Sequence, residues 1–297
     1  MTNVQQEEAL HYFKSHAEDW HNKAKASDEK KVNIIQQRNR YVIDIIKDRK
    51  ETESILDVGC GTGDLVCDIA KQGIDATGVD FAQDMIKLAL DKAKVDQLEN
   101  AHFKCCSIFD FELSKQKFDV ISANGFIEYI SQNELNKFFD IVYNALTPNG
   151  SFVVGSRNRL FNLFSLNSFT YQEVKEHNVD ALLKESISLA SGETREEISR
   201  LKAASLQSPD TKHTKTGIGV TTRFQYTPLQ LMNMLNDRGF EAIEIYPIHI
   251  HSVPPIFKDK EPEIHASISN LLQVHARQHP ELVPFSSSFM LHVRKGE

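Results

Sequence analysis

The chain has 297 residues, 40% of them hydrophobic, enough for one large α/β domain or two small ones around a real core. Its formal net charge of -7 and pI near 6.0 leave no broad basic field, so a nucleic-acid partner is not expected, and no apolar run reaches membrane-spanning length. The polar, acidic start MTNVQQEEAL is unlike a signal peptide, and the four cysteines form no C-x-x-C pair, so the expected compartment is a reducing cytoplasm.

Residues 1–50 read as an N-terminal helical cap segment. Within it, 27–46 form an amphipathic helix on which Val32, Ile35, Val42, Ile43 and Ile46 share a face, with Ser27 as N-cap and Asp28 and Glu29 in the first turn. Residues 51–157 alternate strand and helix. SILDV is a buried strand and GDLVCDIAKQG a helix ending at Gly73. IDATGVD is the second strand. FAQDMIKLALDKAKV is a helix with Met85, Leu88, Ala89 and Ala93 inward. AHFKCCSI and FDVISAN are the third and fourth strands, with Cys105 and Cys106 buried. SQNELNKFFDIVYNALTPNG is a helix opened by a capping box, Ser131 to Glu134, and closed by Pro148 and Gly150; SFVVGS is the fifth strand. Strands separated by helices of this length mean a parallel sheet with helices on both faces.

Residues 158–225 break that rhythm. They are too long for a connector and read as an inserted helical lid or substrate region. Residues 226–297 return to the sheet. Thr227 and Gln230 cap a helix with Pro228 at its first position, FEAIEIYPIHI is a sixth strand, 260–277 are helical, and SSSFMLHVRK is the last strand.

The stretch ILDVGCGTGD, residues 55–64, carries the functional signal. A dinucleotide loop is G-x-G-x-x-G; here the glycines are 59, 61 and 63, and Asp64 stands where the third would be. Asp57 lies two residues before the first glycine. A carboxylate there repels pyrophosphate and attracts an ammonium or sulfonium. Asp80, ending the second strand, can accept hydrogen bonds from both ribose hydroxyls, or it can simply cap the next helix. A cationic nucleoside therefore fits better than a dinucleotide.

With ILDVGCGTGDL, GVDFAQDMIKLA, FDVISANGFIEYI and LTPNGSFVV, the chain resembles the class I S-adenosylmethionine-dependent methyltransferases. The resemblance is strong over residues 54–156, extends through RFQYTPLQLMNMLNDRGF to the final strand, and is weak or absent over the insertion. It implies an α/β, Rossmann-like sheet of seven strands, the last one antiparallel and inserted between strands five and six, with helices on both faces. It also implies S-adenosyl-L-methionine as cofactor. On that resemblance Asp57 orients the methionine amino group, and Gly59, Cys60 and Gly61 lie against the cofactor. Asp80 holds the ribose, Phe81 and Met85 flank the adenine, and Asn124 meets the methionine end. Ser107, beside Ile108, stands where many members carry an adenine-binding aspartate. YFKSHAEDW resembles the segment that small-molecule members fold over the cofactor, so Tyr12, Phe13 and Trp20 are candidates to exclude water from the site, or else they pack against the sheet edge.

Methyl transfer is an in-line displacement, and a hydroxyl acceptor needs a base. Glu128 and Tyr129 follow the fourth strand, where the family places substrate-side residues; the plainer reading makes Glu128 part of a solvated turn. His249 and His251 share a face of the sixth strand by period two, as a base, a weak metal pair or ordinary strand-end residues, and His213 has similar standing. Arg157 and Arg159 leave the fifth strand where such sheets bind ligands and can receive an acidic substrate group or pair with acids of the insertion. The expectation is methyl transfer to a small-molecule acceptor in a closed pocket, at oxygen rather than nitrogen because histidine bases are available, with no metal. The alternatives are an RNA or protein methyltransferase and a nicotinamide-dependent oxidoreductase.

Overall fold

The computed structural model describes residues 4–16, 18, 22, 31–49, 51–113, 116–208 and 224–296. Trp20, Ser27 and His213 lie outside the described residues.

Seven strands form one sheet in the order β3-β2-β1-β4-β5-β7-β6. They are β1 (Ser54–Val58), β2 (Asp75–Asp80), β3 (Ala101–Cys105), β4 (Phe118–Asn124), β5 (Leu146–Arg157), β6 (Phe240–Ile250) and β7 (Ser286–Lys295). The first five pair in parallel, and β7 runs antiparallel to both neighbours, β5 and β6. This is the topology that the family resemblance implies.

Apolar layers cover both faces, which is why the central strands read as unbroken hydrophobic runs. Leu56, Ile121, Phe152 and Leu291 point into one core, with Phe138 and Phe139. Their chain neighbours Ile55, Val120, Val153 and Met290 point into the other, with Tyr41, Val42 and Ile69. The strand period of two therefore divides each strand between two cores.

The helices of the sheet half are α1 (Val4–Ser15), α2 (Ile34–Asp48), α3 (Asp64–Ala70), α4 (Gln83–Val95) and α5 (Gln132–Ala145). The insertion contributes α6 (Asn162–Ser165), α7 (Ser168–Lys175), α8 (Val179–Ala190) and α9 (Arg195–Ser199). Then follow α10 (Pro228–Asn236), α11 (Pro255–Lys258) and α12 (Pro262–His275). Both expected capping boxes form: Ser131 with Glu134, and Thr227 with Gln230. A third, Thr194 with Glu197, opens α9.

Several local expectations need correction. The helix expected from residue 27 begins at Ile34, because the Asn33 side chain accepts the Gln36 N–H at 3.1 Å and ends the preceding extended segment. In α4 the buried stripe includes Ile86, while Leu88 is half-buried against Phe13 and Met85. β5 starts at Leu146, directly at the end of α5, and its register with β4 slips around Pro148 to Gly150 before resuming at Ser151. Cys105 is exposed and Cys106 half-buried, because β3 is an edge strand with a covered face only in part.

Candidate active site

The carboxyl ends of β1, β2 and β4 meet at the glycine bend. Gly59, Gly61 and Gly63 all take positive φ, at 72°, 53° and 71°, a conformation that only glycine adopts cheaply. A Cβ at Gly63 would lie 2.7 Å from the Phe103 ring, whereas one at Gly61 would meet nothing within 4 Å. The third glycine therefore serves packing, and the second borders open space. Asp64 opens α3 and is held by Lys92 and, at 2.6 Å, by the Thr62 hydroxyl. The place of a dinucleotide loop's third glycine is thus filled by an engaged carboxylate.

Asp80 fastens this bend. Its Oδ2 accepts the Gly61 N–H and its Oδ1 the Ala82 N–H, each at 2.9 Å. Capping the next helix and gripping the loop are therefore one function of this residue, and each oxygen keeps a lone pair. Asp57 accepts the Ser122 hydroxyl at 2.6 Å. Burial pushes the Asp57 carboxyl up to about 7, with Ser122 opposing and the Asp80 charge adding to the rise. Burial also raises Asp80, against its backbone hydrogen bonds. Cys60 is buried, and desolvation and the two aspartates push its thiol far up, so it is a small filler rather than a nucleophile.

One cleft gathers Asp57, Gly59, Cys60, Gly61, Asp80, Phe81, Met85, Ser107, Ile108, Asn124, Glu128 and Tyr129. Asn124 lies at the β4 end with its Nδ2 3.4 Å from Asn39 and its buried Oδ1 without a partner. Glu128 is buried rather than solvated, and its carboxylate lies 3.5 Å from Arg38. The Phe224 N–H donates to the Glu128 carbonyl at 2.9 Å, which ties the end of the insertion to this turn.

The N-terminal cap expected from YFKSHAEDW does roof the cleft through Phe13, but the sequence reading missed Ala9 and the contribution of α2. Ala9 and Phe13 of α1 and Ile35, Arg38 and Asn39 of α2 line it. Phe13 meets Tyr129 edge-on at 5.4 Å. Arg38 reaches over Gly125, where a Cβ would sit 2.6 Å from its Nη1, and also donates to Ser288. For Arg38 and Asn39 the signal in the sequence was the polar RNR triplet inside an otherwise amphipathic helix.

Other candidates lie elsewhere. Tyr12 is not among the lining residues; it stacks on His16 at 4.3 Å. Arg159, expected as a substrate group, is fully buried and gripped by Glu173 through two hydrogen bonds of 2.9 and 2.7 Å and by the Ser205 carbonyl. Arg157 lies over the Phe169 ring at 6.0 Å. His249 and His251 are buried next to His265 and do not line the cleft. No histidine lines it among the described residues, so the histidine argument for an oxygen acceptor does not hold at this site.

A methyltransferase-domain family model matches residues 49–217. A ubiquinone biosynthesis O-methyltransferase from Coxiella burnetii is 29% identical over 163 residues, 54% of this chain and 66% of that protein. The chain thus covers less than two thirds of the length of that relative, and 41% of another at 30% identity. The S-adenosylmethionine-bound magnesium protoporphyrin IX methyltransferase of Synechocystis PCC 6803 superposes with TM-score 0.55 at 11% identity, covering 100% of this chain and 99% of that one. The N-methyltransferase NodS of Bradyrhizobium japonicum WM9 gives 0.55 at 12% identity and 100% of both. No helix among the described residues is long and apolar enough to cross a membrane. With the family model spanning more than half its length and the sheet topology in place, the chain belongs to the class I S-adenosylmethionine-dependent methyltransferases.

Proposed function

We propose that this chain methylates a small-molecule acceptor, at oxygen, in the cleft between the glycine bend and the α1–α2 roof. The observation that carries the reading is the pair of buried carboxyls, Asp57 and Asp80, beside a left-handed glycine loop whose middle glycine, Gly61, borders open space. Bound S-adenosylmethionine supplies a methyl group on a sulfonium, already activated for displacement. The chain's own residues do the rest. Asp57 and the unpartnered Asn124 oxygen offer acceptors to an ammonium. The free lone pairs of Asp80 suit ribose hydroxyls. Phe81, Met85 and Ile108 offer flat apolar surface to the adenine, and Ser107 replaces a carboxylate there. Ala9 and Phe13 exclude water from above.

On the acceptor side, Glu128 is the candidate to take a hydroxyl proton, with Arg38 holding its carboxylate in place and Tyr129 beside it. The oxygen preference rests on Glu128 and on the O-methyltransferase relative from Coxiella, and the small-molecule reading on the acidic net charge and the covered cleft. We also propose the division into a cap (1–50), a cofactor core (51–157), an insertion (158–225) and a sheet-completing C-terminal part (226–297).

Calorimetry with adenosylhomocysteine tests the site. The wild type binds, and Asp80→Ala weakens binding by roughly 10- to 100-fold, the loss for hydrogen bonds to a charged group. Glu128→Gln keeps that affinity and loses turnover on hydroxyl acceptors. Binding of NADH in preference to adenosylhomocysteine refutes the assignment.

A further inference from the structure

We propose that His249, His251 and His265 form a binding site for a divalent transition metal of the imidazole-preferring class, zinc foremost, outside the cofactor cleft. His249 lies near the end of β6, His251 just beyond it, and His265 in the first turns of α12. One ring nitrogen from each lies within 4.8 Å of the others. The rings converge at centroid separations of 4.3, 4.6 and 5.2 Å, and all three side chains are buried.

A plain hydrogen-bonded core does not account for this cluster. Buried polar atoms are almost always partnered. Here His249 Nε2 meets His265 Nε2 at 2.9 Å, but both nitrogens of His251 and the Nδ1 of His265 have no partner. His249 also sits at φ 55°, a conformation costly for a non-glycine residue, with its N–H held by Gln37 at 3.0 Å and Gln273 at 3.1 Å. Strain and unpaired nitrogens at one point are what a ligand set shows without its ion.

The donor chemistry fits. A tetrahedral ion with nitrogen ligands at about 2.0–2.1 Å spaces them about 3.3 Å apart, so the close pair opens slightly and the third ring moves in. Three imidazoles with one open position suit zinc, and also cobalt, nickel or copper. Ser287 Oγ lies 2.9 Å from His249 Nδ1, an outer partner that aims Nε2 at the centre. With Nδ1–H of His249 donating to Ser287, His265 supplies the proton of the 2.9 Å pair; ion binding shifts that proton to the unpartnered His265 Nδ1, and none is lost. Lys258 and Arg157 act electrostatically on His249 and oppose a bare dication, an effect that an anionic fourth ligand, hydroxide or carboxylate, offsets. The ion would pin α12 to the end of β6.

The full chain, stripped with a chelator and reloaded with zinc sulfate, should retain one zinc per chain after dialysis and unfold at a higher temperature. Retention of none overturns the site. Loaded with cobalt(II), it should show a ligand-field spectrum without a thiolate charge-transfer band; that band would move the ion to Cys105 and Cys106 and also overturn it. Ser287→Ala should weaken zinc binding by roughly 10-fold and leave adenosylhomocysteine affinity unchanged. His251→Gln and His265→Gln should lose zinc altogether; full retention in either refutes the proposal. Should a histidine variant not fold, the wild-type stoichiometry and cobalt spectrum decide alone.

Discussion

At the scale of single residues, Asp57 has two states of nearly equal weight at neutral pH, because burial pushes its carboxyl up to about 7. Its ordinary value is 3.8, so between the two values the folded chain holds a proton that the unfolded chain has released. Stability from this group is complete below the lower value and is lost as pH rises through about 7. A cation in the cleft reverses the preference. Cofactor binding should therefore release about half a proton at pH 7 and nearer one at lower pH, and below 7 affinity should rise with increasing pH by up to about tenfold per unit. Calorimetry in buffers of different ionisation enthalpy measures both effects. Asp57→Asn can still accept from Ser122, and should abolish the proton release while making the free chain less sensitive to pH between 5 and 8. Unchanged proton release in that variant would show that another group is responsible.

At the scale of elements, the insertion is tied down at its neck by a buried polar network. Arg159 is gripped by Glu173, and Asn162 donates to Glu173 at 2.8 Å and to Gln225 at 2.9 Å. The Gln225 N–H reaches the Gln207 side chain at 2.9 Å, and Gln230 donates to the carbonyls of Ala204 and Ser205. The two ends of the insertion are thereby joined to each other and to α10. Glu173→Ala leaves buried Arg159 with only the longer 3.8 Å pair to Glu176 and the Ser205 carbonyl, and should cost about 3 kcal/mol in urea unfolding. Replacing both, Arg159→Met with Glu173→Leu, should recover most of that loss. Adenosylhomocysteine affinity of the folded double variant should be unchanged; a large loss would return Arg159 to the binding site.

At the scale of the whole molecule, among the described residues the cleft is closed by the N-terminal part of the chain and not by the insertion. No described residue of 158–208 lines it, whereas α1 packs on α4 and on the turn at Ile127–Tyr129. α8 packs instead on the turn at Pro280–Phe285, and α9 on α10. The sheet and both cores do not depend on α1, so a chain lacking residues 1–16 should fold. It should release adenosylhomocysteine faster by roughly 10-fold or more, as loss of one buried aromatic contact implies. Stopped-flow displacement measures this, and Phe13→Ala should give a smaller change in the same direction. An unchanged off-rate would mean that α1 does not cover the cofactor.

The sequence by itself determined the sheet, its order of strands and helices, and the floor of the cleft. Period-two and period-3.6 patterns, the Ser131 and Thr227 capping boxes, and glycines at 59, 61 and 63 are written in contiguous residues, where local sterics and hydrogen bonding act. Only the tertiary structure decided which residues of the roof face the cleft, and what happens at the strand ends. Arg38 meets Glu128 across 90 positions of sequence. His249 and His251 meet His265 because α12 folds back on β6, and Arg159 turns from a ligand candidate into a core ion pair because α7 brings Glu173 to it. Burial and pairing are properties of side chains brought together from distant segments, and no window of sequence records which of them will meet.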